Sequence, residues 1–245
     1  MNLINICICI ASLLYTFLVV VDLTCFISKP NRVIGSQGNW RNISWALFID
    51  MCLLCLFIIP HSLLVSTSTI SQKLNTLLLK LNLRHLHRII YVIITAGTLQ
   101  ILIKNWIIIP EMMFWNLNMN NNCFWWIYIS IHFTAWIVIY VGNICTDITE
   151  LLGVKQVIYS LSKKRDPNYM KSGDLLRLYS HMRHPSFLAF CLLLWITPQM
   201  CLDRLLLSAI LTLYMSLTWI TNEKDYVYQK YQYIRKYHEL DLLEK

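Results

Sequence analysis

The sequence predicts an all-α membrane protein: six transmembrane helices with amphipathic interfacial and C-terminal helices. Three observations predict it. Of the 245 residues, 57% are hydrophobic and only 14% charged, where a soluble domain carries about 25% charged residues. The mean hydropathy is positive. Four apolar runs, residues 3–27, 43–65, 89–109 and 123–145, each match the roughly 20 residues that a helix needs to cross the hydrocarbon core. Such a chain cannot cover a water-facing surface, so its solvent is lipid.

The first run has no basic flank and is longer than the apolar core of a signal peptide, so it reads as a retained helix. Residues 28–42 hold Pro30, Gly35 and Gly38 and form a loop. The runs at 187–200 and 205–221 are separated only by residues 201–204. They read as a tight spanning hairpin, with a re-entrant hairpin as the minority view. The first partner is about 14 residues and spans only if its helix begins near Leu175 or tilts. Asp203 suits a helix N-cap at the turn.

Six spans put both termini on one side. Lys and Arg number sixteen on that side (four in 66–88, seven in 145–185, five in 222–245) and five on the other. The positive-inside rule places the richer side in the cytosol or the continuous nucleoplasm. The net charge of +8 is thus a matter of topology. Spread over loops, it lacks the single basic face that direct nucleic-acid binding needs.

From Asp147 to Leu161 the apolar residues repeat at helical spacing, with Asp147 and Glu150 in the first turn. This predicts one interfacial helix along the headgroups. Residues 222–245 predict a second amphipathic helix, with Glu223 and Asp225 leading and Lys230, Arg235 and Lys236 following. Its five tyrosines between 226 and 237 suit an interface. The chain divides into one polytopic domain with an N-terminal three-helix part (1–110), a C-terminal three-helix part (123–221) and a cytosolic or nucleoplasmic tail (222–245).

The nine cysteines suggest no disulfide framework. Cys52 and Cys55 lie in an apolar run without further ligands at metal spacing, so they read as small hydrophobes and no metal is expected. Asp22, His61 and Asn143 stand near span ends, where snorkelling costs little. Asp50 also lies within a run. His132 is mid-span, with Trp136 one turn later, and reads as a neutral histidine bonded between helices.

Arg177, His181, Arg183 and His184 cluster at the lip of the hairpin, with Pro185 at the entry to its first helix. The strings DITELLGVKQVIYSL, LLRLYSHMRHPSF and DRLLLSAILTLYM, with PHSLL at 60–64 and LQILIKNWIIIP at 99–110, resemble the nurim family of inner nuclear membrane proteins. That resemblance implies a multi-pass protein of the nuclear envelope, with other nuclear-envelope proteins and the bilayer as partners. Without it, a reticular membrane is the expectation. The last two spans are in turn similar to the isoprenylcysteine carboxyl methyltransferase family. Tyr179, Arg183, His184 and Pro185 fit that family's motif, and Glu223 and Asp225 stand for its later acids. The similarity implies candidate contacts to S-adenosylmethionine from those six residues. Arg177 and Leu178 occupy the Gly-Pro positions, Phe187 replaces a Tyr and Ala189 a small Gly.

Two main functions follow. A structural protein of the envelope, with no cofactor and no catalytic residue, is the reading preferred. The alternative is methyl transfer from S-adenosylmethionine to a membrane-embedded substrate. A third class is a lipid-binding module using Arg177, Arg183 and the basic run Lys163, Lys164 and Arg165.

Overall fold

The structure is a computed structural model that describes residues 2–29, 40–65, 68–117, 119, 121–145, 147–164, 173 and 186–217 and, nearer the C-terminus, 223–224, 226–228, 230–231 and 234–235. It is mostly helical. Among the described residues, four helices are long and apolar enough to cross a membrane, over Leu3–Ser28, Asn42–Leu63, Arg84–Asn105 and Asn122–Ile144. They match the four runs read from the sequence, and the chain is a multi-pass membrane protein.

The helices are α1 (Asn2–Ser28), α2 (Trp40–Leu63), α3 (Thr69–Lys80), α4 (His87–Asn105, preceded by a 3₁₀ turn at Arg84–Leu86) and α5 (Asn122–Cys145). Short α6 (Ile148–Leu151) and α7 (Val154–Leu161) follow, then α8 (Phe187–Trp195) and α9 (Leu202–Leu217). α4 packs between α1 and α2, α9 packs on α2 and α8, and α8 packs on α5 and α1. Leu54, Leu102, Trp106 and Leu207 form the core between α2, α4 and α9. Ile27, Ala135, Trp136, Ala189 and Leu193 form the core between α1, α5 and α8. The outer faces remain apolar, with Phe17, Phe48 and Phe133 exposed, as expected where lipid replaces water.

The hairpin of α8 and α9 departs from the sequence expectation. α8 stops at Trp195 rather than running to residue 200. Pro198 has no amide to give the carbonyl four residues back, so the helix cannot continue. Instead of a tight turn at 201–204, residues Gln199–Cys201 form strand β2. β2 pairs antiparallel with β1 (Met113–Asn116), in the register Met113 with Cys201 and Asn116 with Gln199, bulged between Met113 and Trp115. This ribbon was not legible as strand, and it makes the fold less than purely helical. Backbone polar groups outside a helix need partners of their own, and these two segments find theirs by pairing. α9 is 16 residues long, about 24 Å at the helical rise.

The interfacial helix expected over 147–161 is broken. Gly153 sits at φ 86° between α6 and α7, and Asp147, itself left-handed at φ 68°, caps α6 from outside its first turn. A Cβ at Gly153 would stand 2.8 Å from the Ile89 side chain and 3.0 Å from its backbone nitrogen. The break therefore allows close approach. α7 docks through Val157 onto Cys9, Leu86 and Ile89.

Residues 66–88, read only as a basic loop, contain α3. Ser68 caps its start by accepting from the Ser71 amide. At its end, Leu83 N donates to Leu78 O across a left-handed Asn82, a left-handed C-terminal stop.

Candidate functional site

Of the six residues assigned to a cofactor site by resemblance, Tyr179, Arg183, His184, Pro185 and Asp225 lie outside the described residues. Glu223 is described, helical and exposed. Phe187 opens α8, and Ala189 is 6% exposed in the core against α5. The other residues flagged in the C-terminal tail fall partly among the described positions, where 226–228 and 230–231 are helical and Tyr226 and Tyr231 exposed.

What the structure does bring together is a set of buried polar side chains at the end of the bundle where α1, α4 and α8 finish and α2, α5 and α9 begin. Asp50, Asp203, Arg204, His132 and Ser208 are all 3% exposed or less. Charge buried in an apolar medium is costly unless it is bonded. Each of these side chains bonds to main chain of another segment, at positions that helical hydrogen bonding leaves open.

The carbonyls at the end of α1 come first. Arg204 Nη2 donates to Ile27 O at 2.7 Å, and Tyr128 Oη donates to Ser28 O at 2.8 Å. At the end of α8 the missing amide of Pro198 would have served Leu194 O. Ser208 Oγ donates there at 2.8 Å. Thr197 N turns to Trp195 O, and Arg204 Nη2 reaches Leu193 O at 3.4 Å. His132 Nε2 donates to Ile196 O at 2.7 Å.

The amides beyond α4 are treated the same way. Asp50 Oδ1 accepts from Ile107 N at 3.0 Å. Asp203 Oδ1 accepts from Ile109 N at 3.2 Å, and Asp203 Oδ2 accepts from Trp106 Nε1 at 3.1 Å. The sequence suggested that α4 runs to Ile109, but it ends at Asn105. The two carboxylates hold these amides outside the helix. Asp203 is thus not the N-cap of a turn, since it lies in the first turn of α9 and binds another segment. Arg204, counted above with an outer loop, is buried at 1% exposure.

The carbonyl settles one ring nitrogen of His132. A carbonyl only accepts, so Nε2 of His132 carries hydrogen. Trp136 Nε1 only donates and gives its hydrogen to Ser28 Oγ at 2.8 Å. The Ser28 hydroxyl also bonds Nδ1 of His132 at 2.9 Å. The imidazole is hydrogen-bonded between helices, as the sequence reading held, and it ties α1, α5 and the end of α8 together. Tyr128 packs on it with ring centres 4.2 Å apart.

Other flagged residues pair across helices. Asp22 reaches across to α4. Its Oδ2 meets Lys104 Nζ at 2.9 Å and Gln100 Nε2 at 2.7 Å, both on α4. His61, at the opposite end of the bundle from the buried set, bonds Tyr91 Oη at 3.1 Å and stacks on Phe57. Ser62 bonds Tyr214 Oη on α9 at 3.0 Å. Asn143 donates to Ile139 O within α5. Cys52 and Cys55 are exposed. A half-open groove of about 230 Å³ lies between Trp115, Phe124, Tyr128, Trp195 and Pro198. Among the described residues of its wall, Tyr128 is the one titratable side chain, and its hydroxyl is given to Ser28 O.

Outside the spans, Asp147 Oδ2 bonds Lys155 Nζ at 2.7 Å and Oδ1 accepts from Thr149 Oγ1 at 2.5 Å. The Lys155 ammonium first, and the Thr149 hydroxyl second, hold the Asp147 carboxyl down from its ordinary 3.8 to about 2. The same bond raises the pKa of Lys155.

Sequence reasoning flagged His132 and Asp50 but missed the roles of Ser28, Trp106, Arg204 and Ser208. A charged pair at the start of an apolar run was the one available signal. The arrangement can hold backbone ends in place, and it does so with side chains from three helices, α2, α5 and α9.

No family model and no solved structure matches the chain. Individual proteins do. It is 36% identical over 242 residues to a protein named Nurim homolog from Drosophila pseudoobscura pseudoobscura, covering 94% of each chain. It is 35% identical over 196 residues to Nurim of Xenopus laevis, covering 77% of this chain and 65% of the frog protein. It is 32% identical over 204 residues to Nurim of Mus musculus, covering 81% and 74%. Identity of this order that runs almost from end to end of both the fly protein and this one makes the chain a member of the nurim family.

Proposed function

We propose that this chain is a six-span structural or organising protein of the inner nuclear membrane, built in its last two spans on a methyltransferase-like scaffold. The observation that carries the structural reading is the buried polar set. Asp50, Asp203, Arg204, His132 and Ser208 each bond to main chain, so the intramembrane groups that would otherwise suggest chemistry are engaged in holding helix ends. The nuclear placement rests on kinship with the nurim proteins. The six-span topology rests on the sixteen-to-five split of basic residues. It also rests on α8 and α9, whose connection lies at the same end as the α1–α2 and α4–α5 connections. One polytopic domain results, with parts 1–110 and 123–221 and a tail at 222–245.

Methyl transfer is the second reading, carried by Tyr179, Arg183, His184 and Pro185 with Glu223 and Asp225. Arg177 stands where the methyltransferase pattern has glycine. At about 5 Å a guanidinium and a sulfonium repel by roughly 3 kcal/mol at an effective dielectric near 20. Titration calorimetry of the purified full chain with S-adenosylmethionine decides between them. The structural reading expects no saturable heat for the wild type. Low-micromolar binding would put the enzyme first. A glycosylation acceptor added after Lys245 should stay unmodified in cells, and its modification would overturn the topology.

A further inference from the structure

We propose that α3 is a membrane-surface anchor that lies in the headgroups of the leaflet beside it and binds anionic phospholipid. α3 is fixed in rotation by its inner side. Ser71 is 1% exposed and bonds His87 Nε2 at 3.0 Å, and Leu78 is 6% exposed. Beside that inner side runs a second stripe. Ile70, Leu74, Leu77 and Leu81 follow the spacing i, i+4, i+7, i+11 of one helix face. Leu74 is half-buried, while Ile70, Leu77 and Leu81 are 46%, 55% and 58% exposed. Lys73 and Lys80 flank the stripe on the side away from Ser71, and both are exposed.

Apolar residues exposed on one helix face with lysines along the edge are the pattern of an interfacial helix. Two further features choose lipid as the occupant. α3 is tethered by short connections to membrane helices at both ends, to α2 at Leu63 and to α4 through Arg84–Leu86. It packs against α2, α4 and the 3₁₀ turn, so it stays at the membrane surface. Ile59 and Leu63, exposed on the last turns of α2, lead the lipid-facing surface up to it. The lysine fringe complements phosphate, and serine-headgroup lipid is concentrated in the cytosolic leaflet. The identity of that leaflet rests on the proposed topology. Binding by α3 itself does not.

The test uses the full chain in vesicles with the same lipid in both leaflets, so that a wrong topology leaves it unaffected. A fluorescent amino acid is placed singly at Leu77, Leu81 or Leu79. Leu79 is 55% exposed but stands on the opposite face. Lipids brominated on their acyl chains serve as quenchers, in phosphatidylcholine alone or mixed with phosphatidylserine. Probes at 77 and 81 should be quenched and a probe at 79 should not. Phosphatidylserine should deepen the quenching, and Lys73→Gln with Lys80→Gln should abolish that gain. Two lysines near an anionic surface shift the equilibrium by about thirtyfold, or roughly 2 kcal/mol. Equal quenching at 77 and 79, or no response to phosphatidylserine, overturns the proposal. So does a stripe that is dark to lipid in vesicles and shielded only in native membranes, which would assign it to a protein partner.

Discussion

Asp203 on α9 and Trp106 beyond α4 are joined by a 3.1 Å bond from indole Nε1 to carboxylate Oδ2, with neither residue more than 9% exposed. The other oxygen of the same carboxylate takes the Ile109 amide. One side chain therefore anchors a segment that has left its helix, 94 and 97 residues away in sequence.

His132 should be replaceable by shape only at a cost. His132→Phe keeps a ring against Tyr128 but leaves the Ser28 hydroxyl and the Ile196 carbonyl without their partner. A buried group left unbonded costs about 1–3 kcal/mol, so a loss of roughly 2–4 kcal/mol is expected. Reversible unfolding in mixed micelles measures it. A change within about 0.5 kcal/mol, the size of a surface substitution, would contradict the bonding pattern.

Two serines of α9 should behave differently although both donate to main chain. Ser208 is buried and serves the carbonyl that Pro198 abandons, while Ser216 is exposed and serves Leu213 O. Ser208→Ala should cost about 1–3 kcal/mol and Ser216→Ala under about 0.5 kcal/mol. Equal effects in the same unfolding assay would remove the special role of Leu194 O.

Gly153→Ala should undock α7. Alanine in the left-handed region costs about 1–2 kcal/mol, and its Cβ would also press on Ile89. Hydrogen exchange over residues 154–161 should accelerate, while exchange in α5 stays as in the wild type. Unchanged protection of α7 would show that the close approach is not needed.

Acid should loosen α6. The folded pKa of Asp147, at about 2, lies below its ordinary 3.8. The bond to Lys155 is therefore at full strength above about pH 4 and fades as pH falls toward 2. Both partners are partly exposed, so salt should weaken the effect. Amide exchange of residues 148–151, corrected for intrinsic rate, should rise over that window in the wild type and respond less in Lys155→Gln. Identical profiles would detach Lys155 from the cap.

The spans were legible because twenty apolar residues in a row admit few other structures, and Leu3–Ser28 and Asn122–Ile144 fall within a residue or so of the reading. His132 was legible as a group bonded between helices because a mid-span histidine has few other stable states. The ends of α4 and α8 were not. Ile107, Ile108 and Ile109 look like the last turn of a helix, and only the distant carboxylates of Asp50 and Asp203 explain why they leave it. The β1–β2 pair was hidden for the same reason, since each strand exists to satisfy the other. α3 was hidden by its lysines, which read as loop charge. Of the residues assigned to a cofactor by resemblance, Glu223 alone is described.

The claim that buried polar side chains clamp the helix ends is tested most directly by a double-mutant cycle on Asp203 and Trp106. Asp203→Ala, Trp106→Phe and the pair are compared with the wild type by reversible unfolding in micelles. A direct buried bond predicts a coupling of roughly 1–3 kcal/mol, since residues in contact are not additive. Additivity within about 0.3 kcal/mol, as for distant independent sites, would contradict the clamp.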